Sequence, residues 1–519
     1  MTGIGPLLLD ALDRHPERVA LRQGGTGLTY AATARAVHDL ADRLAAAGLG
    51  PGDTLVQLRG NDPAQWITAA ACYVAGVRAC SVAPGSLPPA ELARRLELIG
   101  PSVVVTAPEP VAGAGCGAVR RWVVDGSGVP ARPARPARPA DRAGHARPDP
   151  VGVPAGGAGA PAGGSGVPAG GSADLAAAGP VGAPAAGADR IAARLAFTSG
   201  TGGTVKGVDL SGAALGAVAT MCAEQLPWPQ RPVVVCPEAV SGGFGNMVLP
   251  VLLHGGTFVL PARSGVDGLV QTLAAEPGAV LALMPPLLRS LLADPRTGGL
   301  PVPRLVLYSG DDLTAADTAA LRAWGDPDLC GVFGQVEVPK TIALALPAAH
   351  RTGTAPGLGT PFAGTRTRLV DLAGRDVTGD GPGELWVSGP TVLTGYAFGA
   401  PDPFDGGWVR TGDVCRRDDD GRLQHTGRVE DVLTDGPAPL CPPAVEAALR
   451  TATGVPAAVL RGRDGGTVVV AAGRIEPRTA AAVLDGFGLV ADRVVGRDGG
   501  LPRTPMGRFD RRALEREHR

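Results

Sequence analysis

The 519-residue chain is poor in aromatic side chains and in lysine. Aromatic residues make up 4% of it, and only two of its 48 basic residues are lysines, Lys206 and Lys340. Its eight cysteines form no C-x-x-C pair, which excludes a zinc ribbon and suits a reducing compartment. No apolar run is long enough to span a bilayer, and the first residues lack the basic start of a signal peptide. We therefore expect a cytoplasmic protein without a membrane partner.

The overall charge gives no reason to expect nucleic acid as a partner either, because the formal net charge is −1. The length predicts two or more domains, and the apolar fraction of 45% is ample for large cores. Residues 127–188 are different, since they are rich in Pro, Ala and Gly and repeat GVPAGG at 152–157 and 166–171. Such a composition buries too little apolar surface to fold, so we expect a disordered insert there.

Elsewhere helical and strand-like patterns alternate. Apolar residues at helical spacing run from Ala31 to Ala47, and short β-rich runs follow at Val103–Ala107 and Trp122–Asp125. More such runs begin at 233, 280 and 305, and turn-rich β segments extend to about 426. The pattern predicts an α/β protein: a large multi-subdomain N-terminal domain (1–426) with α/β layers and a β-rich subdomain, then a small mobile α+β C-terminal domain (427–519).

The clearest motif follows the apolar residues 195–197. It combines hydroxyls, small residues that expose backbone N–H groups, and one lysine, which together predict a phosphate cradle. Its spacing differs from that of the P-loop. In a chain with two lysines, one placed here is unlikely to be chance. The predicted phosphate-binding residues are Thr198, Ser199, Gly200, Thr201, Gly202 and Gly203, with Lys206 as a catalytic cation.

This loop resembles the signature loop of the AMP-forming acyl-activating superfamily, which includes acyl-CoA synthetases, adenylation domains and luciferases. Further blocks resemble that family in the same order along the chain. They are LVLYSGDDL (305–313), FGQVE (333–337), GELWVSGP (383–390), WVRTGD (408–413), GRVED (427–431) and LPRTPMGRFDRRAL (501–514). The resemblance covers nearly the whole chain apart from the insert.

The resemblance implies roles for individual residues. Gly310 and Asp311 would border the adenine and Phe333 would stack on it, while Glu337 would bind Mg²⁺ and Asp413 the ribose hydroxyls. Arg428 would also contact the nucleotide, Glu430 would be the hinge within 427–431, and Arg508 would be a catalytic residue. The acyl pocket would be formed by Phe244, Gly245, Met247 and Val332, without a charged residue, which favours an apolar acid.

The implied reaction is activation of an organic acid by Mg²⁺·ATP to an acyl-adenylate, with release of pyrophosphate. The acyl group would then pass to a thiol, either CoA or the phosphopantetheine of a carrier protein acting in trans. Two alternatives stay open: a non-catalytic or impaired nucleotide-binding relative, and an adenylating enzyme that uses an amine acceptor or a non-carboxylate oxyacid.

The sequence departs from the family's pattern at several positions. Arg508 stands where the family has a catalytic lysine, and its planar guanidinium does not place a compact charge at the same point. Val336 and Gly202 replace threonines, which removes two hydroxyls near the phosphates. Pro437 lacks an N–H in the stretch that would line the path of pantetheine. These departures leave the rate of adenylation and the acceptor open.

Overall fold

The computed structural model describes residues 3–83, 87–106, 120–123, 191–199, 205–352, 356–434, 439–462, 466–503 and 509–518. The strands of these residues are β1 (Val19–Gln23), β2 (Thr26–Thr29), β3 (Thr54–Leu58), β4 (Arg78–Val82), β5 (Val103–Thr106), β6 (Arg120–Val123), β7 (Ala192–Ser199), β8 (Val205–Ser211), β9 (Val233–Val235), β10 (Thr257–Leu260), β11 (Val280–Leu283), β12 (Leu305–Tyr308), β13 (Asp328–Phe333), β14 (Ala343–Ala345), β15 (Thr360–Pro361), β16 (Arg366–Val370), β17 (Gly383–Ser388), β18 (Gly395–Phe398), β19 (Phe404–Asp405), β20 (Trp408–Arg417), β21 (Leu423–Arg428), β22 (Ala457–Arg461), β23 (Thr467–Ala471) and β24 (Ala491–Gly496).

The α-helices of the same residues are α1 (Ile4–Asp13), α2 (Tyr30–Ala46), α3 (Pro63–Ala75), α4 (Pro89–Ile99), α5 (Gly212–Gln225), α6 (Val248–Leu253), α7 (Gly265–Ala275), α8 (Pro285–Leu292), α9 (Ala315–Trp324), α10 (Pro442–Thr453), α11 (Pro477–Asp485) and α12 (Arg511–His518). Short 3-10 helices span Gly243–Met247, Pro295–Gly299, Pro347–Arg351 and Val429–Asp431. Among these residues no helix is both long and apolar enough to cross a membrane.

Two large sheets form the body of the fold. The first has the order β15-β14-β13-β12-β11-β9-β10-β1-β2 and is parallel from β13 to β1, and the second has the order β18-β8-β7-β4-β3-β5-β6. The largest buried cluster joins them through α1, α3, α5 and α6, with Leu8, Trp66 and Leu215 packed against strand residues of both sheets. Burial on this scale is the main force that holds the two sheets together.

A smaller antiparallel sheet follows, with the order β16-β17-β20-β19 and β21 paired to β20. Its core meets the first sheet at Val338 and Ile342, in the segment between β13 and β14. After the 3-10 helix Val429–Asp431, strands β22, β23 and β24 form a separate sheet covered by α10 and α11, with its own buried cluster. This arrangement confirms the α/β fold with layered sheets, a β-rich part and a small C-terminal α+β part.

The predicted elements agree with the observed ones to within a few residues. The helix expected over 31–47 is α2, capped by the Thr29 hydroxyl, which accepts a hydrogen bond from the Ala32 N–H at 3.1 Å. The run predicted at 122–125 is shifted, since β6 is Arg120–Val123. The Pro/Ala/Gly-rich insert at 127–188 lies outside the described residues, and the division into domains at 426/427 stays a prediction.

Candidate active site

A cavity of about 140 Å³ lies where the first large sheet meets the antiparallel sheet. It is bordered by the ends of the parallel strands β12 and β13 and by residues of β20 and β21, and open α/β sheets usually bind ligands at such strand ends. Six residues predicted from the sequence line it together: Gly310, Asp311, Val332, Phe333, Asp413 and Arg428. Residues that are as much as 118 positions apart in the chain therefore share one site.

Asp413 is the most enclosed carboxylate of this cavity, with an exposed fraction of 3%. Antiparallel pairing of β20 with β21 sets Asp413 directly opposite Arg428, whose Nε lies 3.2 Å from Oδ1. His425 Nε2 lies 3.2 Å from the same oxygen, and Gln335 Nε2 donates to Oδ2. Burial alone would raise the pKa of Asp413, but the His425 hydrogen bond and the Arg428 charge outweigh it and hold the pKa below its usual value. The carboxylate is thus kept ionised as an acceptor.

The turn after β12 forms one wall of the cavity. Gly310 has φ of +93°, a conformation that other residues rarely adopt, so a glycine is needed for the chain to turn at this point. Asp311 lines the cavity, but its carboxylate also accepts from Arg289 Nη1 at 3.1 Å. Asp311 therefore shapes the wall while its charge is already balanced.

The segment that joins β13 to β14 (residues 334–342) runs from the cavity into the core. Phe333 ends β13 and lines the cavity, and its carbonyl accepts from the Ile342 N–H at 3.0 Å. The Leu393 N–H donates to the Glu337 carbonyl at 2.8 Å. Bonds at both ends hold this segment in place, so the side chains on it point in fixed directions.

Lys206 and Glu337, predicted on the phosphate side, are brought together through Tyr396. Strand β8 carries Lys206 and pairs with β18, which carries Tyr396. The Tyr396 hydroxyl donates to Glu337 Oε1 at 2.9 Å, and Lys206 Nζ lies 5.2 Å from the centre of the Tyr396 ring. Burial and the neighbouring Glu337 carboxylate raise the pKa of Tyr396, so the phenol keeps its proton and remains a donor.

The donor chemistry of Glu337 fits a Mg²⁺ that is shared with a nucleotide. Its side chain is 9% exposed, and no described residue donates a hydrogen bond to Oε2. No group of three or more His, Cys, Asp or Glu side chains suited to a metal is present in the described ranges. Mg²⁺ is commonly held by one or two carboxylates together with substrate phosphates and water, for which a single carboxylate oxygen suffices.

The four residues predicted for the acyl pocket do not share one cavity. Val332 lines the cavity beside Phe333, whereas Gly245 lines a second cavity of about 40 Å³ with Val240 and Arg194. Phe244 and Met247 are buried, with exposed fractions of 5% and 0%. A feature not predicted from the sequence adjoins them, because Lys340 Nζ lies 3.8 Å from the centre of the Phe244 ring.

Other predicted residues lie at the limits of what the structure describes. Thr198 lies on β7, opposite Lys206 on β8, and Ser199 ends β7 opposite Val205. Gly200, Thr201, Gly202, Gly203 and Arg508 lie outside the described residues, as does Pro437. Glu430 is exposed in the 3-10 helix Val429–Asp431 directly after β21, at the start of the C-terminal part, so the described residues give its place but not a hinge motion.

The sequence reasoning missed Gln335, His425 and Lys340 as site residues. Gln335 lies inside the FGQVE block, and His425 lies three residues before Arg428 on the same strand, so both were adjacent to predicted positions. The signal for Lys340 was its rarity, since it is the second of the two lysines and follows Glu337 by three residues.

A family model described as "AMP-binding enzyme" matches residues 8–397 of the chain. A feruloyl-CoA synthase of an Amycolatopsis species is 29% identical over 473 residues, which are 89% of this chain and 85% of the relative. A fatty acid–[acyl-carrier-protein] ligase of Mycobacterium marinum is 26% identical over 86% of this chain and 81% of its own length.

Solved structures resemble the whole fold. The amide bond synthetase McbA of Marinactinospora thermotolerans superposes with a TM-score of 0.75 at 23% identity, and the match covers 99% of each chain. At this identity the likeness concerns the fold alone, and it extends past residue 397 into the C-terminal part.

Proposed function

Because the chain belongs to the AMP-binding enzyme family, we propose that it is an ATP-dependent acid–thiol ligase. It activates an organic acid as an acyl-adenylate and transfers the acyl group to a thiol. The observation that carries this proposal is the enclosed Asp413 carboxylate, held ionised beside Arg428 in a cavity that Phe333 and Gly310 also line. An aromatic ring and a buried acceptor in one cavity suit the adenine and the ribose of a nucleotide.

The adenosine part of ATP binds in the 140 Å³ cavity. Phe333 stacks on the adenine, and Asp413 accepts hydrogen bonds from the ribose hydroxyls. Charge-assisted hydrogen bonds of this kind are about twice as strong as neutral ones. Arg428 keeps the Asp413 carboxylate in place from the opposite strand, so the ribose meets an acceptor that is already positioned.

The triphosphate extends toward Lys206, Glu337 and the loop that joins β7 to β8. Glu337 holds Mg²⁺, which neutralises charge on the phosphate oxygens when bound. A carboxylate oxygen of the acid attacks the α-phosphorus, the bond from that phosphorus to the bridging oxygen of the β-phosphate breaks, and pyrophosphate leaves. Lys206 and Arg508 offset the charge of this transition state, so catalysis consists mainly of positioning and electrostatic stabilisation.

In the second half-reaction a thiolate attacks the acyl carbon, a thioester forms and AMP leaves. The two relatives, by name a feruloyl-CoA synthase and a fatty acid–[acyl-carrier-protein] ligase, support a thiol acceptor of this type. Residues 1–426 form the adenylating domain, and residues 427–519 form a lid that turns about Glu430 between the two half-reactions.

The test is pyrophosphate release from Mg·ATP with a panel of carboxylic acids, first without a thiol and then with CoA or a carrier protein bearing phosphopantetheine. We expect release that depends on the acid, followed by a thioester identified by its mass. Pyrophosphate release followed by formation of an amide, when amines are supplied, would show that the acceptor is an amine and not a thiol. ATP binding without release for any acid would show a non-catalytic relative.

A further inference from the structure

Lys340 is the most unusual side chain near the proposed active site. It is buried, with an exposed fraction of 6%, and its φ of +64° lies in the left-handed region that residues other than glycine rarely adopt. Strained backbone positions persist where the surrounding structure fixes them and are concentrated at functional sites. The Lys340 backbone is packed closely against Gly334, since its N lies 2.2 Å from where a Cβ on Gly334 would be.

The ammonium group of Lys340 reaches the segment 240–247, which contains three residues predicted for the acyl pocket, Phe244, Gly245 and Met247. Nζ lies 3.8 Å from the centre of the Phe244 ring and 3.7 Å from where a Cβ on Gly243 would be. Lys340 follows Glu337 by three residues on the same anchored segment. Its charge therefore lies beside Phe244, a residue predicted for the acyl pocket, and on the same segment as the carboxylate that is proposed to bind Mg²⁺.

Nothing in the described ranges neutralises this charge by direct contact. Lys340 makes no ion pair or hydrogen bond through Nζ with any of these residues, and the ring of Phe244 is the group on which its charge rests. Glu238 is the nearby acid, but its Oε1 already accepts from the Met284 N–H at 2.9 Å. Burial lowers the pKa of Lys340 to about 8, and burial also raises the pKa of Glu238, so the two groups stabilise each other only in part.

We propose that Lys340 determines substrate specificity by pairing with a second negatively charged group on the acid, at the end remote from the carboxylate that is activated. The substrate class is thus a dicarboxylic or similarly dianionic acid. This inference rests on the proposed function, and it replaces the expectation of an apolar acid. A buried, unpaired cation is costly, and an anionic ligand removes that cost by supplying the missing partner.

The experiment compares acids with matched shape and different charge. Each dicarboxylic acid (glutaric, adipic and terephthalic) is paired with its monomethyl ester, which keeps one carboxylate for activation. Pyrophosphate release gives kcat/KM for both members of each pair. The wild-type protein is expected to favour at least one diacid over its ester by roughly 10- to 100-fold, the range for a hydrogen bond to a charged group.

Lys340→Met should abolish that preference or reverse it, since it keeps a long unbranched side chain and removes the charge. Lys340→Arg should retain part of it. Arg194→Met is the matched control, because it removes another cation beside the same segment: Arg194 Nη1 donates to Asn246 Oδ1 at 2.8 Å and Nη2 to the Ser241 carbonyl at 2.7 Å. Arg194→Met should change kcat/KM by the same factor for a diacid and for its monomethyl ester.

A second readout separates this inference from the proposed function. The shift in Tm caused by each acid is measured for the wild type and for Lys340→Met. A diacid that raises Tm only in the wild type supports the role of Lys340, whether or not pyrophosphate is released. If no pyrophosphate is released, that result refutes the proposed function but not the role of Lys340. Equal rates and equal Tm shifts for diacid and ester, or a preference that survives in Lys340→Met, would overturn the inference.

Discussion

At the scale of single residues, the proposed site depends on charges that the fold holds in place. Asp413 is ionised within a network of three donors, whereas Lys340 is buried without an ion-pair or hydrogen-bond partner for Nζ among the described residues. The first arrangement is ready to accept hydrogen bonds, and the second is ready to take up an anion. Both arise from a local feature of the backbone, the β20–β21 pairing for Asp413 and the 334–342 segment for Lys340.

Asp413→Asn should weaken binding of AMP by roughly 10- to 100-fold, because charge-assisted hydrogen bonds contribute about 1.5–3 kcal/mol. Calorimetric titration with AMP measures this directly. Asp405→Asn is the matched control, since Asp405 is exposed on β19, which pairs with the same strand β20. Equal affinity in both variants and the wild type would remove Asp413 from the proposed ribose site.

Lys340→Met should raise the free energy of unfolding at pH 7 by roughly 1–3 kcal/mol, since replacing an unpaired buried charge by an apolar group of similar size is stabilising. Burial lowers the pKa of Lys340 from its ordinary value of 10.5 to about 8. The cost of burying the charge is therefore complete below pH 8 and is relieved as the pH rises from about 8 to 10.5. In urea titrations, the difference in free energy of unfolding between Lys340→Met and the wild type should be smaller at pH 10 than at pH 7. A variant that is less stable than the wild type at pH 7 would contradict this prediction.

Arg508→Lys should increase the turnover of pyrophosphate release by at least about 10-fold, since it restores the compact point charge of the family's lysine, which the larger planar guanidinium does not place at the same point. The prediction rests on the sequence, because position 508 is outside the described residues. Arg512→Lys, the same exchange four residues later on α12, is the control. A fall in turnover for Arg508→Lys would show that the reaction requires an arginine at position 508.

At the scale of elements, the β13–β14 segment connects the nucleotide cavity to the acyl side. Phe333, Gln335, Glu337 and Lys340 all lie on it or at its start, so its conformation sets four proposed roles at once. The segment can fold back onto Gly334 because this residue has no side chain. A Cβ at position 334 would lie 2.2 Å from the Lys340 N and 2.8 Å from the Val338 carbonyl oxygen.

Gly334→Ala should therefore displace the segment, with a loss of roughly 1–3 kcal/mol in stability from overpacking and a fall of more than about 100-fold in kcat/KM. Thermal unfolding and pyrophosphate release measure the two effects. Gly298→Ala is the control, because a Cβ at position 298 meets no atom within 4 Å. Wild-type activity in Gly334→Ala would show that the segment does not position the reacting groups.

The sequence could predict elements and motif residues but not every spatial relation. Short apolar runs predicted β9, β11 and β12 within about a residue, because buried parallel strands are continuous apolar stretches. The meeting of Asp413 with Gln335 and His425 depends on the register between β20 and β21 and on the packing of two sheets. Neither the strand register nor the packing of the sheets can be read from the local pattern of apolar and polar residues in one sequence.

At the scale of the whole molecule, all lining residues of the cavity in the described part of the chain lie at or before Arg428, and the C-terminal sheet has a separate core. The proposed motion about Glu430 moves the residues that follow it, so Arg428 and the rest of the nucleotide site would stay intact. Glu430→Pro, which restricts the backbone at the hinge, should slow thioester formation by roughly 10-fold or more and affect pyrophosphate release less. Glu430→Ala controls for loss of the side chain, and equal slowing of both half-reactions would contradict the hinge.

The most direct test of the central claim is acid-dependent exchange of labelled pyrophosphate into ATP, measured without any thiol across mono- and dicarboxylic acids. Exchange requires reversible formation of an acyl-adenylate, so it reports the first half-reaction alone. We predict exchange that needs both Mg²⁺ and an acid and that is fastest with a dicarboxylic acid. No exchange with any acid, from protein that binds AMP through Asp413, would contradict it.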